Sequence, residues 1–296
     1  MAMIPDTCQS GFSDWSEVRS TLPREARQRS GPFVIEVAGK RYFVKVGGSP
    51  AYSWLRIVLL APVVRLATGT WPDSRPLRRG GAERLAFEVK RLQALREAGV
   101  HVPAVKVHLE QLLVLEDVGE TLESGLPYLD DVQRMERIRR LAEDLAAFHA
   151  AGHWHGGAQL RNVTFDDGRF GRIDFEEDLE GVLPLRMRQA MDALLAAFSI
   201  AHSRALGEPE RRRPLVECFL STWVREADGT EAMDELLRIR RWLKPLGWIA
   251  SAMRAVPSRD LDAFRILANS MKAMEFRCIE PNHSTHSTHS TNGTEP

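Results

Sequence analysis

The stretch Gly152–Asp178, GHWHGGAQLRNVTFDDGRFGRIDFEED, decides how the rest of this chain is read. It carries His155, then Asn162, then a short run with a turn, then Asp174-Phe175-Glu176. Phe165 and Ile173 flank Asp166, Asp167 and Gly168, a cluster that breaks regular structure and closes a strand pair. A tight strand–turn–strand delivers Asn162 and Asp174 close together. Oxygen donors of that kind hold Mg²⁺, which keeps several waters and shares its remaining positions with phosphates. A lysine and a glutamate upstream would complete such a site.

Both are present. Phe33–Val37 and Arg41–Val46 are strand-like runs joined by Ala38-Gly39-Lys40, a short hairpin. Lys45 lies in the second run, on the face of Phe43 and opposite Val44 and Val46. Glu83–Ala98 reads as a helix, with Leu85, Val89, Leu92 and Leu95 at three- and four-residue steps and Gly99 as its stop. Glu88 sits beside that apolar stripe, where Lys45 offers it a partner. Val105–Leu109 and Leu112–Leu115 form another strand pair, ended by Glu116-Asp117-Val118-Gly119.

From Asp131 the pattern is almost all helix. Val132, Met135, Ile138, Leu141, Leu145 and Phe148 form one stripe ended by Gly152, and further helical patterns cover Leu185–Arg204, Pro214–Arg225, Ala232–Leu243 and Leu261–Phe276. Asp192 falls beside Met191, Leu194 and Leu195, so a buried aspartate there needs a hydrogen-bonding partner. Arg211–Arg213 reads as a solvated turn at a helix start. Residues 1–30 show little periodicity.

Length and composition set the outer bounds. A chain of 296 residues suits one two-lobed domain or two small ones. Forty basic residues against forty acidic ones give no support to a nucleic-acid-binding surface. Cys8, Cys218 and Cys278 are far apart and show no metal-ligand spacing, which fits a reducing compartment. The N-terminus has neither a basic start nor an apolar core, so a cytoplasmic protein without a signal peptide is expected. The stretch Tyr52–Trp71 is unusually apolar and suits either a core helix in an insertion or a membrane-surface contact through Trp54, Leu55, Val58, Leu59 and Trp71. Its longest apolar run, Ile57–Val64, is too short to span a bilayer. The tail PNHSTHSTHSTNGTEP is low-complexity and reads as disordered.

Set in order, Lys45, Glu88, Glu116–Gly119, His155, Asn162 and Asp174 make the chain resemble the protein-kinase superfamily. Within it the likeness is to the bacterial lipopolysaccharide core kinases (the Kdo/heptose, or WaaP-like, family) and related small-molecule kinases, over roughly residues 33 to 205. The resemblance implies an α+β, bilobal, protein-kinase-like fold: a segment 1–30, a small β-rich lobe 31–118 with an apolar insert 50–80, a larger helical lobe 119–280 and a tail 281–296. It implies that Lys45 holds the α/β-phosphates of ATP, that Glu88 orients it, and that the backbone from Glu116 to Val118 meets the adenine. Asn162 and Asp174 match the Mg²⁺ ligands, His155 the residue that fixes the catalytic loop, and Asp192 the helix aspartate that ties that loop down.

The chain departs from the family pattern in three places. Gly157 stands where an aspartate orients or deprotonates the substrate hydroxyl, a function worth roughly 10²–10⁴ in rate. Gln159, Glu176 or Asp178 would have to orient the hydroxyl instead, with glutamine able to position a nucleophile but not to act as base. Asp174-Phe175-Glu176 replaces D-F-G, and no G-x-G-x-x-G precedes Phe33. The expected function is phosphorylation of a hydroxyl by Mg-ATP, on a lipopolysaccharide core sugar or other envelope glycolipid, with peripheral contact to the inner membrane. The competing expectation is a pseudokinase that binds nucleotide or a protein partner without catalysis. Nucleotidyl transfer is a third chemistry that would tolerate a missing base.

Overall fold

The computed structural model describes residues 11–26, 31–47, 65, 80–229, 231–239 and 259–279. The apolar insert, apart from Arg65 and Gly80, lies outside the described residues, as does the tail 281–296.

A five-stranded sheet is followed by a mostly helical remainder, so the fold is mixed α+β. The sheet comprises β1 (Gly11–Phe12), β2 (Phe33–Val37), β3 (Lys40–Val46), β4 (Val105–Leu109) and β5 (Leu112–Glu116), in the spatial order β1-β2-β3-β5-β4. All its pairings are antiparallel except the short one between β1 and β2. Lys45 stands opposite Leu113 in the β3/β5 register.

β5 is buried on both faces, which is why its sequence LLVLE does not alternate with polar residues. Leu112 and Val114 pack with Phe12, Ile35, Val37, Tyr42 and Val44 under α1 (Trp15–Ala26). Leu113 and Leu115 face the other way, into the core shared with the helices. Alternation along β3 therefore sends Val44 under α1 and Lys45 toward α2 (Gly81–Glu97).

Residues 1–30, which show little periodicity in the sequence, contain β1 and α1. Val18 and Leu22, one turn apart, are fully buried there, and the Trp15 ring meets Tyr42 edge-on at 4.8 Å. That spacing was present in the sequence, but Pro23 and the charged residues around it diluted the signal.

The helical part begins with α3 (Leu122–Gly125) and the long α4 (Asp131–Ala150). Asp130 caps α4, accepting the Gln133 amide at 2.8 Å while Gln133 reaches back to the Asp130 amide at 3.2 Å. Val132, read as part of the apolar stripe, is instead 80 % exposed; the stripe begins at Met135. β6 (Val163–Asp166) and β7 (Arg169–Arg172) form the expected hairpin. α5 (Leu185–His202) and α6 (Pro209–Glu226) pack on α4 and on each other, and α7 (Arg259–Ile279) packs on α5 and α6, around a core that includes Ile138, Ile200, Phe219 and Leu220. Residues 231–239 are also helical. Arg212, expected in a solvated turn, is buried and donates to the Ala201 carbonyl within this packing.

Candidate functional site

The fold brings Lys45, Glu88 and Asp174 together from three separate segments. Lys45 Nζ donates to Glu88 Oε1 at 2.7 Å and Oε2 at 2.9 Å, and to Asp174 Oδ1 at 2.6 Å. Glu88 is fully buried in mid-helix, where an unpaired carboxylate would be costly. Burial pushes its carboxyl above the usual range, while the Lys45 ammonium opposes that change. Burial also opposes the charge on Lys45, but the two carboxylates more than offset it and raise its pKa. At Asp174 burial again acts against ionisation, and Lys45 prevails, holding the carboxyl below its ordinary value. One cation thus serves two carboxyl groups.

Asp174 adopts φ +71°, a left-handed conformation uncommon for a residue with a side chain. Strain of this kind persists where the surroundings fix it. Here the next residue supplies the fixing. The Phe175 amide donates to Glu88 Oε1 at 3.3 Å, and its fully buried ring stacks on His155 at 4.4 Å.

His155 is itself buried, and burial pushes its pKa down to about 4, so the ring is neutral. Its Nδ1 accepts the Gly157 amide at 3.0 Å. Asn162 ends a short 3₁₀ turn, Leu160–Asn162, and donates through Nδ2 to the Gly157 carbonyl at 2.8 Å. That bond leaves Asn162 Oδ1 free to accept, and the hairpin places Asn162 beside Asp174 by pairing the Ile173 amide with the Asn162 carbonyl at 3.0 Å.

Asp192, at the centre of α5, is the buried anchor of this loop. Its carboxylate accepts the His155 amide at 2.5 Å and the Gly156 amide at 2.7 Å. His149 on α4 approaches the same carboxylate at 3.4 Å through Nε2, while its Nδ1 accepts Trp223 Nε1–H at 3.1 Å. With Nδ1 used as an acceptor, the neutral ring carries its proton on Nε2 and aims it at Asp192. Gly156 has φ +91°, and a Cβ there would come within 2.9 Å of Trp154 and 3.1 Å of Glu177. Only glycine fits this turn.

Of the expected site residues, Lys45, Glu88, Asp174, Asn162, His155 and Asp192 are thus linked by direct contacts or a shared loop. Glu116 ends β5 with its amide on the Ala104 carbonyl, and buried Val118 lies in the connection to α3. Gln159 opens the 3₁₀ turn, and its side-chain amide has no partner among the described residues. Glu176 forms an ion pair with Arg84, one helical turn before Glu88. Asp178 is 8 % exposed and accepts the Glu180 amide at 3.1 Å.

Several contributors gave little sign of themselves in the sequence. Arg84 could have been found from its i, i+4 spacing to Glu88. Arg91 continues the same face: it donates to the Trp154 carbonyl at 2.5 Å and lies 3.8 Å from the Trp154 ring centre. Burial lowers its pKa to about 10, which still leaves it charged. His149 and Trp223 gave no local signal, because their partnership spans α4, α5 and α6.

The donor set fits Mg²⁺ held jointly with a nucleotide. Asn162 Oδ1 and the second oxygen of Asp174 are neutral and anionic oxygen donors with no other bond among the described residues. No group of three His, Cys, Asp or Glu able to hold a metal occurs among the described residues, so a closed protein-only cage is not what this arrangement offers. Magnesium completed by water and phosphate oxygens needs no such cage.

No family model matches the chain. Over 161 residues it is 27 % identical to an uncharacterized protein of Haemophilus influenzae, an alignment covering 54 % of this chain and 57 % of that protein. No helix among the described residues is long and apolar enough to cross a membrane.

Proposed function

We propose that the protein is a bilobal, kinase-like phosphotransferase that moves the terminal phosphoryl group of Mg-ATP to a hydroxyl of a lipopolysaccharide core sugar or other envelope glycolipid. The observation that carries the reading is the triad Lys45–Glu88–Asp174. A fully buried carboxylate grips a lysine that also reaches the metal-type aspartate, at 2.6–2.9 Å throughout. Phosphoryl transfer requires fixed charge and alignment more than covalent chemistry. Lys45 meets phosphate oxygens, Glu88 holds it in place, and Asn162 and Asp174 hold the magnesium, which supplies charge neutralisation when bound. The connection Glu116–Val118 meets the adenine, and the Val118 amide has no hydrogen-bond partner among the described residues to compete with it. His155 and Asp192 position the loop. The acceptor class comes from the family resemblance, the cytoplasmic location from the cysteine usage, and the peripheral membrane contact from the apolar stretch Tyr52–Trp71.

The test is titration calorimetry of ATP with and without Mg²⁺, on wild type and Asp174→Asn, with ATP turnover followed in the same samples. Magnesium-dependent binding and slow turnover, both weakened at least tenfold by the substitution, are expected. No ATP binding by wild type would sink the reading.

Gly157 favours a second reading, a pseudokinase that keeps the nucleotide site and lacks turnover. Its signature is Mg-ATP binding without phosphoryl transfer to any acceptor.

A further inference from the structure

A second cleft lies apart from the lysine cluster, and none of Lys45, Glu88, Asn162 and Asp174 lines it. Its volume is about 630 Å³, within the range of small-molecule sites. The walls are the turn that follows α2, one side of α4 from Arg140 to Ala151, His153, and the end of the β6/β7 hairpin from Gly168 to Arg172. Val100, Ala147 and Phe148 make part of this lining apolar, and the Arg172 guanidinium lies 4.3 Å from the centre of the Phe148 ring.

The charges of the lining do not balance. Arg140, Arg169 and Arg172 stand against Glu143 and Asp144, and both carboxylates are already used. Asp144 pairs with Arg172, and Glu143 with Arg139, which lies outside the cleft. Among the described residues Arg140 meets only neutral groups, the Gly168 carbonyl at 2.9 Å and the Phe165 ring. The Arg169 side chain has no ion pair or hydrogen bond among the described residues, although Asp166 stands opposite it in the hairpin. Two guanidiniums are therefore left without an anion. Inside the wall, Arg172 is only 3 % exposed, yet its Nε–H has no acceptor, and Nδ1 of His101 in the same lining has no partner either. Folded proteins seldom leave buried polar groups unmatched, and those that remain call for an explanation.

We infer that this cleft is a binding site for a small organic phosphate monoester, with the phosphate on Arg140 and Arg169 and the apolar body of the ligand against Val100, Ala147 and Phe148. A phosphate monoester carries about −1.5 to −2 charges at neutral pH, which matches two unpaired guanidiniums, whereas a carboxylate supplies a single charge. Guanidinium groups also grip phosphate oxygens with paired N–H donors. The site is separate from the nucleotide site proposed above and does not depend on the phosphotransferase reading.

Phenyl phosphate, benzoate, benzyl alcohol and inorganic phosphate serve as probes, each titrated calorimetrically into the full chain without nucleotide. Phenyl phosphate is expected to bind at least tenfold tighter than any of the other three. Arg169→Glu reverses a charge on the wall, and Ala147→Trp fills the cleft from an exposed position of α4. Each is expected to weaken phenyl phosphate at least tenfold, while Lys45→Met changes its affinity less than twofold. Thermal unfolding at the wild-type temperature shows that the two wall variants are folded. Benzoate, benzyl alcohol or inorganic phosphate bound as tightly as phenyl phosphate overturns the inference, as does binding that survives both wall substitutions. Binding lost in Lys45→Met and kept in Arg169→Glu places the anion at the nucleotide site instead. That outcome also overturns the inference, and it leaves the phosphotransferase reading standing.

Discussion

Two buried polar clusters hold the segment between His155 and Phe175 from opposite sides, and they are made of different chemistry. Above it, Lys45, Glu88 and Asp174 are formally charged, and Lys45 remains 21 % exposed. Below it, Trp223, His149 and Asp192 are sealed, with Asp192 taking two backbone amides of the loop. The upper cluster has an anion to spare and a lysine open to a newcomer. In the lower one the Trp223 indole, the His149 ring and both loop amides each meet an acceptor. The upper cluster thus keeps its cation partly open to solvent, whereas the lower one buries its anion on the backbone donors of the loop it holds.

The contrast predicts that the lower cluster dominates stability. Asp192→Leu leaves two buried amides without an acceptor, which at a few kcal/mol for each lost charged bond or unmet donor should cost about 4 kcal/mol in urea unfolding. A loss below ~1 kcal/mol would mean that the loop holds its shape without the anchor.

His155 lies between the clusters and should report acid sensitivity. Its ordinary value of 6.5 falls to about 4 in the fold because burial disfavours the imidazolium. Below pH 6.5 the unfolded chain therefore takes up a proton that the folded protein refuses, and stability declines as the pH drops from there to about 4. A tenfold change in proton affinity corresponds to ~1.4 kcal/mol, so the contribution over this window is on the order of 3 kcal/mol. His155→Phe keeps a ring against Phe175 and should flatten that part of the pH–stability curve. An unchanged slope would assign the acid sensitivity elsewhere, with His149, also lowered by burial, the next to replace.

In the upper cluster, Lys45→Met strands Glu88. A raised carboxylate pKa stabilises the fold at low pH and loses that contribution as pH rises. Asp174 loses its cation as well, and its depressed carboxyl pKa contributes stability above the ordinary carboxylate range. The variant should therefore already be less stable than wild type in mild acid, with a deficit that grows to about 2 kcal/mol as the pH rises. A pH-independent loss would show that Lys45 contributes packing rather than charge.

Sequence alone made the upper cluster legible and left much of the lower one hidden, for a physical reason. Lys45 and Glu88 are improbable residues in their settings, a cation in an apolar strand and an anion beside an apolar stripe, and each demands an explanation that the other provides. Asp192 raised the same demand among Met191, Leu194 and Leu195. His149 and Trp223 raised none, since a histidine near a helix end and a tryptophan in a helix core are ordinary. Their hydrogen bond exists because α4, α5 and α6 pack together, and no local pattern encodes it. Four of the five strands were legible from apolar runs and turn residues, while β1 was too short to show and α1 was obscured by Pro23 and its charges. Val132 shows the opposite error, a helical repeat extended one step too far toward the exposed N-terminal end.

The smallest expected effect concerns the residue that replaces glycine after Asp174-Phe175. Glu176 pairs with Arg84, and because Arg84 is one turn from Glu88, the Asp174 segment and β3 both grip the same face of α2. The pair is partly exposed, so its stabilising effect should be about 0.5 kcal/mol. Glu176→Gln and Arg84→Gln, alone and together, isolate that contribution, which matters because Arg84 has a further interaction of its own. A coupling energy near ~0.5 kcal/mol, with faster amide exchange confined to the first turns of α2, would show that Glu176 holds the helix against the Asp174 segment. Zero coupling with unchanged exchange would leave Lys45–Glu88 as the sole charged tie, and the upper cluster would be looser still relative to the lower one than the distances indicate.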